Sequence, residues 1–295
     1  MSWFREAATK WSVDKGQRLG AALAFYSVLS IAPLLVIMMA AAGAIFGDKA
    51  ASGEIESQIE GLIGREGALA IQDLIVHAQR PKEGIVATVL GTLTLLLGAS
   101  GVFGEMQDSL NLIWRCRARP GRSLQAYLSD RLLSFVMVLG TAFLLIVSLV
   151  ISALLAAAEK ILGAMFSGFE VFSPALGMGT SFLVLTLLFA LIFKFVPDVW
   201  ISWREVWGGA AVTSLLFALG KHLFGLYLGR SGVASAYGAA GSLVVLIIWT
   251  YYSAQILYFG AELTWVTARR RGTRTVPARN AELIPPTISP MSPAV

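Results

Sequence analysis

Two long apolar segments lie near the end of the chain, residues 207–228 and 240–265, and a short Gly/Ser/Ala link separates them. Each exceeds the ~20 apolar residues that cross a bilayer core of about 30 Å. Ionisable and amide groups nevertheless occur inside them. Because an ionisable group in hydrocarbon costs at least a few kcal/mol, such residues are the first candidates for function. They are Lys221, His222, Gln255 and Glu262.

The same apolar pattern recurs along the chain and predicts an all-α, polytopic membrane protein with six transmembrane helices. The composition agrees, since 56% of the residues are hydrophobic and only 14% are charged, whereas soluble chains are about a quarter charged. Apolar residues at helical spacing in the polar stretch 47–84 predict short amphipathic helices at the membrane surface. The six predicted spans are residues 21–46, 85–104, 132–157, 175–196, 207–228 and 240–265.

The two ends of the chain differ from the predicted membrane domain, residues 20–267. Residues 1–19 are basic and predict an amphipathic helix in the membrane interface. Residues 268–295 are basic and then Pro-rich, which predicts a disordered tail. Of the 23 Lys and Arg residues, 16 lie on the predicted side of both termini, six lie on the other side, and Lys221 lies inside a span. The positive-inside rule therefore predicts cytoplasmic termini. The first apolar run is about 26 residues long, more than a signal peptide uses, so none is expected.

Several classes of chemistry lack the residues that they need. The single cysteine, Cys116, and the two separated histidines, His77 and His222, cannot supply the ligand cluster of a zinc nuclease. Gly220-Lys221 lacks the remaining residues of a phosphate-binding loop. The sequence therefore predicts no enzyme, no metal and no cofactor. The net charge of +5 lies beside apolar segments, which indicates lipid partners and not nucleic acid.

Lys221 and His222 each leave alternatives open. Counted from residue 207, Lys221 lies roughly 21 Å along its helix. It then either snorkels to the outer headgroups, lines a cavity and attracts an anionic group, or pairs with a carboxylate. His222 is either a neutral side chain bonded to a neighbouring helix or part of a proton relay.

A second group of polar residues is predicted at the inner ends of the spans. Glu262 lies roughly 33 Å along its span and should not pair with Lys221, which lies at another depth. The group is either a structural ion-pair network or a gate or coupling-ion site. Its predicted members are Glu105, Asp108, Asn111, Arg131 and Glu262.

The first span contains a proline with polar residues before it. Pro33 removes a backbone donor in mid-span and predicts a kink. Ser27 and Ser30 either satisfy the freed carbonyls or, with Tyr26, lie beside a substrate path at a broken helix. In the fifth span, Gly225 and Gly229 fit the small-xxx-small pattern and weakly indicate close helix packing.

Several stretches, in the same order, resemble the YihY/BrkB family of bacterial inner-membrane proteins. The likeness covers roughly residues 10 to 270 and implies a six-span inner-membrane protein whose activity is not settled. Members have been labelled ribonuclease BN, a label regarded as a misattribution. The stretches are Leu-Gly-Ala-Ala-Leu-Ala-Phe-Tyr-Ser from residue 19, Gln-Asp-Ser-Leu-Asn-Leu-Ile-Trp from 107, Asp-Arg-Leu-Leu-Ser-Phe from 130, Val-Pro-Asp from 196 and Gly-Ala-Glu-Leu from 260.

The first functional hypothesis is a transporter or exporter of an amphipathic or anionic envelope-related molecule. Charge inside the membrane and helices interrupted by Gly and Pro favour it. The alternative is a non-transporting scaffold or regulator of envelope proteins, and a membrane-bound ribonuclease comes last. The expected partners are membrane lipids and an anionic small molecule, and a homo-oligomer is left open.

Overall fold

Helices make up most of the residues that the computed structural model describes, which are 2–30, 101–119, 169–231, 241–278 and 281–284. Four short strands accompany them. In chain order the elements are α1 (Trp3–Val13), α2 (16–30), α3 (101–113), β1 (Cys116–Ala118), α4 (Phe169–Phe195), β2 (Val199–Trp200), α5 (Trp203–Ser231), α6 (Gly241–Arg270), β3 (Val276–Pro277) and β4 (Ala281–Leu283).

Three helices of the described ranges are long and apolar enough to cross a membrane. Their apolar windows are Met178–Phe195 in α4, Trp203–Tyr227 in α5 and Leu243–Arg270 in α6. These helices overlap the last three predicted spans, and each begins or ends a few residues beyond its predicted span. α4 ends before Pro197, whose ring disfavours helical backbone in the residue before it. The first three predicted spans lie largely or wholly outside the described residues.

α5 packs between α4 and α6, and it runs antiparallel to α6. Two glycine–threonine pairs form the crossing. A Cβ added to Gly209 would lie 1.7 Å from Oγ1 of Thr264, and one added to Gly260 would lie 1.9 Å from Oγ1 of Thr213. Each threonine also donates to the glycine carbonyl one turn earlier on its own helix, at 2.7 and 2.8 Å. Each helix thus presents a glycine to the other helix's threonine, which brings the two backbones close together.

The glycine pattern noted in the predicted fifth span does not mark this crossing. A Cβ added to Gly225 would meet no atom within 4 Å. The close approach lies about four turns nearer the start of α5, where a threonine occupies the second small position.

One end of the helical bundle is formed by α1, the end of α6 and the four strands. We call this end the terminal face. α1 packs on α6 there, with Ala7 fully buried and Glu6 paired with Arg270 at 2.6 Å. α1 and α3 end at Lys15 and Arg115, both in the left-handed region with φ of 57°.

Two antiparallel strand pairs close the terminal face, so the described fold is not purely α-helical. β1 pairs with β4, and Arg117 and Glu282 form an ion pair of 2.8 Å across that pair. β2 pairs with β3. The prediction of disorder from residue 268 is therefore wrong for the part of the tail in α6, β3 and β4. β3 and β4 are ordered because β2 and β1, which follow α4 and α3, supply hydrogen-bond partners for their backbone groups. The tail sequence by itself does not show these partners.

Candidate functional site

Glu262 lies in the last third of α6, about 12 Å of helix rise before Arg270. Its side chain is 1% exposed, and neither carboxylate oxygen has a hydrogen-bond partner among the described residues. Its charged neighbours are Asp14, Arg115 and Lys10, with the Asp14 carboxyl directly beside it. Ionised carboxylates only accept hydrogen bonds, so these two carboxyls cannot bond each other without a proton between them. We call these four residues the carboxyl cluster.

Arg115 forms an ion pair with one of the two carboxyl groups of this cluster, that of Asp14. Its Nη2 donates to Oδ2 of Asp14 at 2.8 Å, and the Asp14 side chain is only 5% exposed. The guanidinium also lies 5.8 Å from the ring centroid of Trp265. Lys10 approaches the same ring at 5.2 Å. Both cations of the cluster therefore lie over one buried indole, one helical turn from Glu262, while neither donates to the Glu262 carboxylate in the described part of the chain.

A second polar group on α3 is fully hydrogen-bonded, and we call it the amide lock. Asn111 Nδ2 donates to Asp198 Oδ2 at 2.8 Å, and the Asp198 backbone N–H donates to Asn111 Oδ1 at 2.7 Å. Gln107 donates to the other Asp198 oxygen at 3.1 Å, and the Cys116 thiol donates to Asn111 at 3.3 Å. The lock ties α3 to the turn between α4 and β2. Burial, with a smaller contribution from the Asp198 charge, raises the pKa of Cys116 to about 12.

The remaining acidic residues of the predicted inner group lie on α3. Glu105 accepts from Ser109 at 3.4 Å and faces Tyr258 of α6. Asp108 is exposed and lies near Glu105. The predicted group is therefore divided in the structure. Asn111 belongs to the amide lock, Glu105 reaches α6 at Tyr258, and Glu262 belongs to the carboxyl cluster. Arg131 lies outside the described residues.

Lys221 and His222 lie in the second half of α5, far from the terminal face. The preceding residue, Gly220, contacts the hydroxyl of Tyr252 on α6. Lys221 is half-buried and His222 is exposed. Ten residues of α6 separate that level from Glu262, which corresponds to about 15 Å. The structure places Lys221 and Glu262 at different depths.

The polar residues of the first span make local contacts. Ser30 is 6% exposed and donates to the Tyr26 carbonyl at 2.7 Å. The Tyr26 ring covers Gly101 at the start of the described part of α3. Gln255 donates to the Gln17 carbonyl at 3.4 Å, where α2 crosses α6. Pro33 lies outside the described residues, so a kink at that position stays a prediction.

The sequence does not identify three residues of the carboxyl cluster and the amide lock as site residues: Asp14, Arg115 and Asp198. Asp14 ends an amphipathic helix, Arg115 follows one, and Asp198 follows a proline, so each resembles an ordinary helix-end residue. Their spacing in sequence gives no sign that the ends of α1, α3 and α4 meet.

The membrane-length helices, the buried charged residues between them and the basic terminal face define a helical integral membrane protein. The chain belongs to the virulence factor BrkB family, whose family model matches residues 7–285. No solved structure matches the chain at a significant level.

Curated relatives carry mostly membrane-protein names. A UPF0761 membrane protein of Tolumonas auensis is 30% identical over 207 residues, which cover 68% of this chain and 65% of that protein. Another, of Albidiferax ferrireducens, is 26% identical over 87% of this chain and 60% of its own length. The putative ribonuclease-like protein YfkH of Bacillus subtilis is 22% identical over 92% of this chain and 97% of its length. The chain thus spans less than two thirds of the two UPF0761 proteins.

Proposed function

We propose that this protein is a transporter or exporter of an amphipathic, anionic, envelope-related molecule. It would lie in the bacterial inner membrane with six spans and both termini in the cytoplasm. Under this proposal the terminal face is the cytoplasmic entrance, and the carboxyl cluster is its gate.

The observation that carries the proposal is Glu262, a carboxyl group in a membrane-length helix that is 1% exposed and has the Asp14 carboxyl beside it but no hydrogen-bond donor from a basic or amide group among the described residues. A network that only locked helix ends would satisfy its members, as the amide lock does. An unsatisfied buried carboxylate costs about 1–3 kcal/mol or more. Evolution retains ionisable groups at such positions mainly along substrate or ion pathways.

Arg115 gives the gate two alternative arrangements. It lies near both Asp14 and Glu262, and in this structure it binds Asp14 at 2.8 Å. A transfer of its guanidinium to Glu262 would release Asp14, which belongs to the turn after α1. Because α1 packs on α6, this exchange would loosen α1 and open the entrance. Two nearly equal ion pairs of this kind are a recognised basis for switching between states.

Lys221 would bind the anionic headgroup deeper in the membrane. The half-buried position on α5, about 15 Å of helix rise from the Glu262 level, separates this step from the gate. An ammonium group at that depth attracts an anion more strongly than in water, because the surrounding dielectric constant is low.

The test uses full-length protein in proteoliposomes with NBD-labelled phosphatidylglycerol as the anionic amphipathic probe, and dithionite reports its movement between leaflets. We expect wild-type protein to accelerate this movement over protein-free vesicles. Glu262→Gln should slow it about tenfold, the effect of losing about 1.4 kcal/mol of stabilisation in the rate-limiting step. Lys221→Ala should weaken the preference for this probe over NBD-labelled phosphatidylcholine.

Glu282→Gln is the matched control, since it removes a carboxylate from the exposed Arg117 pair on the same face. It should leave the rate unchanged. Full activity in a Glu262→Gln/Lys221→Ala double variant would remove both residues from the mechanism. Equal rates in wild-type and protein-free vesicles would count against transport of such lipids.

The amide lock favours a second function, that of a non-transporting scaffold or regulator of envelope proteins. Its four members are mutually satisfied and rigidly connect α3 with the turn after α4. A scaffold would keep its cellular role in the Glu262→Gln/Lys221→Ala variant and would lose it when Asp198→Ala breaks the lock. Complementation of a deletion strain with these two variants separates the functions.

A membrane-bound ribonuclease is the least favoured function. The ribonuclease-like name belongs to a relative that is 22% identical to this chain. This function would be supported if purified protein degraded labelled RNA and a substitution at the terminal face abolished that activity.

A further inference from the structure

A cavity of about 440 Å³ opens at the terminal face, just beyond the end of α6. This volume lies within the range of small-molecule sites, roughly 300–1,000 Å³. Its walls come from the end of α3, the last turn of α6, the segment that follows α6, and β4 with the residue after it. None of the residues named in the carboxyl cluster except Arg115 lines it.

Three arginines line this cavity: Arg115, Arg269 and Arg274. No carboxylate of the described residues lines it. Arg115 is neutralised in part by Asp14, but Arg269 and Arg274 make no ion pair with a described residue. Guanidinium groups bind phosphate oxygens through paired N–H donors, and such charge-assisted bonds are about twice as strong as neutral ones.

Trp265 holds two of the three arginines, Arg115 and Arg269, in position. The guanidinium carbons of Arg115 and Arg269 lie 5.8 and 5.4 Å from its ring centroid. Stacking on an indole fixes a long side chain and leaves its N–H groups free to bind an anion. Two of the three arginines are therefore preorganised, which lowers the entropy cost of binding.

The backbone after α6 shapes the opposite wall. Gly272 has a φ of 75°, and its N–H donates to the Arg269 carbonyl at 3.0 Å. The Thr273 N–H donates to the Ala268 carbonyl at 3.1 Å, which completes a Schellman motif. This turn reverses the chain so that Arg274 lines the same cavity as Arg269.

The remaining wall is apolar. It is formed by Trp114 with Leu283 and Ile284, and Ile284 is held by a bond of 2.9 Å from its N–H to the Arg115 carbonyl. A cavity built only for a free inorganic anion would gain nothing from this surface. A ligand with an apolar portion next to its anionic group would bury apolar area against it.

We propose that this cavity binds a phosphate-bearing ligand, with the phosphate on the three arginines and its apolar portion on Trp114, Leu283 and Ile284. The ligand is either a phospholipid headgroup at the membrane boundary or a free phosphate compound. The proposal does not depend on transport, because a lipid held permanently for stability or regulation would use the same contacts.

The test measures binding to full-length protein in a neutral detergent by isothermal titration calorimetry. The probes are dihexanoyl phosphatidic acid, dihexanoyl phosphatidylcholine and inorganic phosphate. We expect phosphatidic acid to bind at least about tenfold more tightly than phosphatidylcholine, whose choline offsets the phosphate charge. Tighter binding of phosphatidic acid than of inorganic phosphate assigns the site to a lipid headgroup. Equal binding of the two would overturn the role of the apolar wall and leave the arginines as a site for free phosphate.

The decisive variant is Arg269→Gln/Arg274→Gln, which removes two charges from the cavity and leaves the Arg115–Asp14 pair in place. It should raise the Kd for phosphatidic acid about tenfold or more. Arg5→Gln/Arg204→Gln removes two charges from exposed residues elsewhere on the terminal face and should change the Kd less than about twofold. An equal loss in both double variants would show diffuse charge attraction and overturn the proposal. So would equal binding of the two lipids, or no binding of either phosphate probe.

Discussion

Arg115 occupies a position on which several contacts depend at once. Its φ of 57° places a residue other than glycine in the left-handed region, which costs roughly 1–2 kcal/mol. That conformation ends α3 and turns the side chain toward Asp14 and Trp265. Its carbonyl receives the N–H of Ile284. The local cost is offset by these contacts, and such strain is common where a side chain must be held for function.

Cys116 gives a residue-scale prediction because it is the only cysteine of the chain. Burial raises its pKa to about 12 from an ordinary value of 9.0. At pH 8 about one folded-state thiol in ten thousand is then ionised, against about one in ten for an exposed thiol. We expect iodoacetamide to label the folded protein far more slowly than the denatured protein at this pH.

The contribution of Cys116 to the free energy of unfolding decreases as the pH rises. Between about pH 9 and 12 an unfolded chain releases the Cys116 proton while the folded chain keeps it, so rising pH favours unfolding through this group. Labelling of the folded protein should stay slow until pH approaches 12. Labelling at pH 8 as fast as in the denatured protein would contradict the burial of this thiol.

At the scale of elements, the α5–α6 crossing depends on the absence of two side chains. Thr213 and Thr264 are fixed by hydrogen bonds to their own helices, so neither moves away easily from the facing glycine. Overpacking a contact of this kind costs about 1–3 kcal/mol, because the backbones must separate.

Gly260→Ala should therefore destabilise the protein by about 2 kcal/mol, since the new Cβ would meet Thr213 Oγ1 at 1.9 Å. Thermal unfolding in detergent, followed by circular dichroism, measures the effect. The double variant Gly260→Ala/Thr213→Ala should recover only part of the loss, because it removes Oγ1 and Cγ2 but keeps the residue 213 Cβ at 2.9 Å from the new methyl group.

Gly208→Ala is the matched control on α5. A Cβ there meets no atom within 4 Å, and alanine favours a helix by about 1 kcal/mol over glycine. It should leave the protein equally or more stable. Similar destabilisation by Gly208→Ala and Gly260→Ala would mean that the crossing does not depend on close packing.

At the scale of the whole molecule, the sequence predicts what hydropathy and helical spacing encode locally. α4, α5 and α6 follow from apolar runs, and the end of α4 follows from Pro197. The depth difference between Lys221 and Glu262 follows from helix rise alone. The neighbour of Glu262 does not, because Asp14 comes from the opposite end of the chain and only tertiary packing brings the two carboxyls together. The strands of the tail are missed for the same reason, since two-residue and three-residue strands have too little sequence to show alternation.

Removal of the tail gives a prediction at this scale. A chain ending at residue 275 lacks β3 and β4, so β1 and β2 lose their partner strands. We expect iodoacetamide to label Cys116 at least about tenfold faster at pH 8, because β1 then opens without breaking strand hydrogen bonds. Far-UV circular dichroism should change little, since helices dominate the signal.

A chain ending at residue 284 keeps both strand pairs and the bond from Ile284 to Arg115. Its labelling rate should match that of the full-length chain. Equal rates for the chains ending at 275 and 284 would mean that β4 does not protect β1.

The pairing of β1 with β4 also determines when this region can be completed during biosynthesis. A ribosome delivers residues 116–118 long before residues 281–283, and the exit tunnel delays the last segment further. At roughly 5–20 residues per second, the nascent chain waits many seconds with β1 and β2 unpaired. β1 therefore pairs only after α4, α5 and α6 have been synthesised, and its edge stays exposed until residues 281–283 emerge.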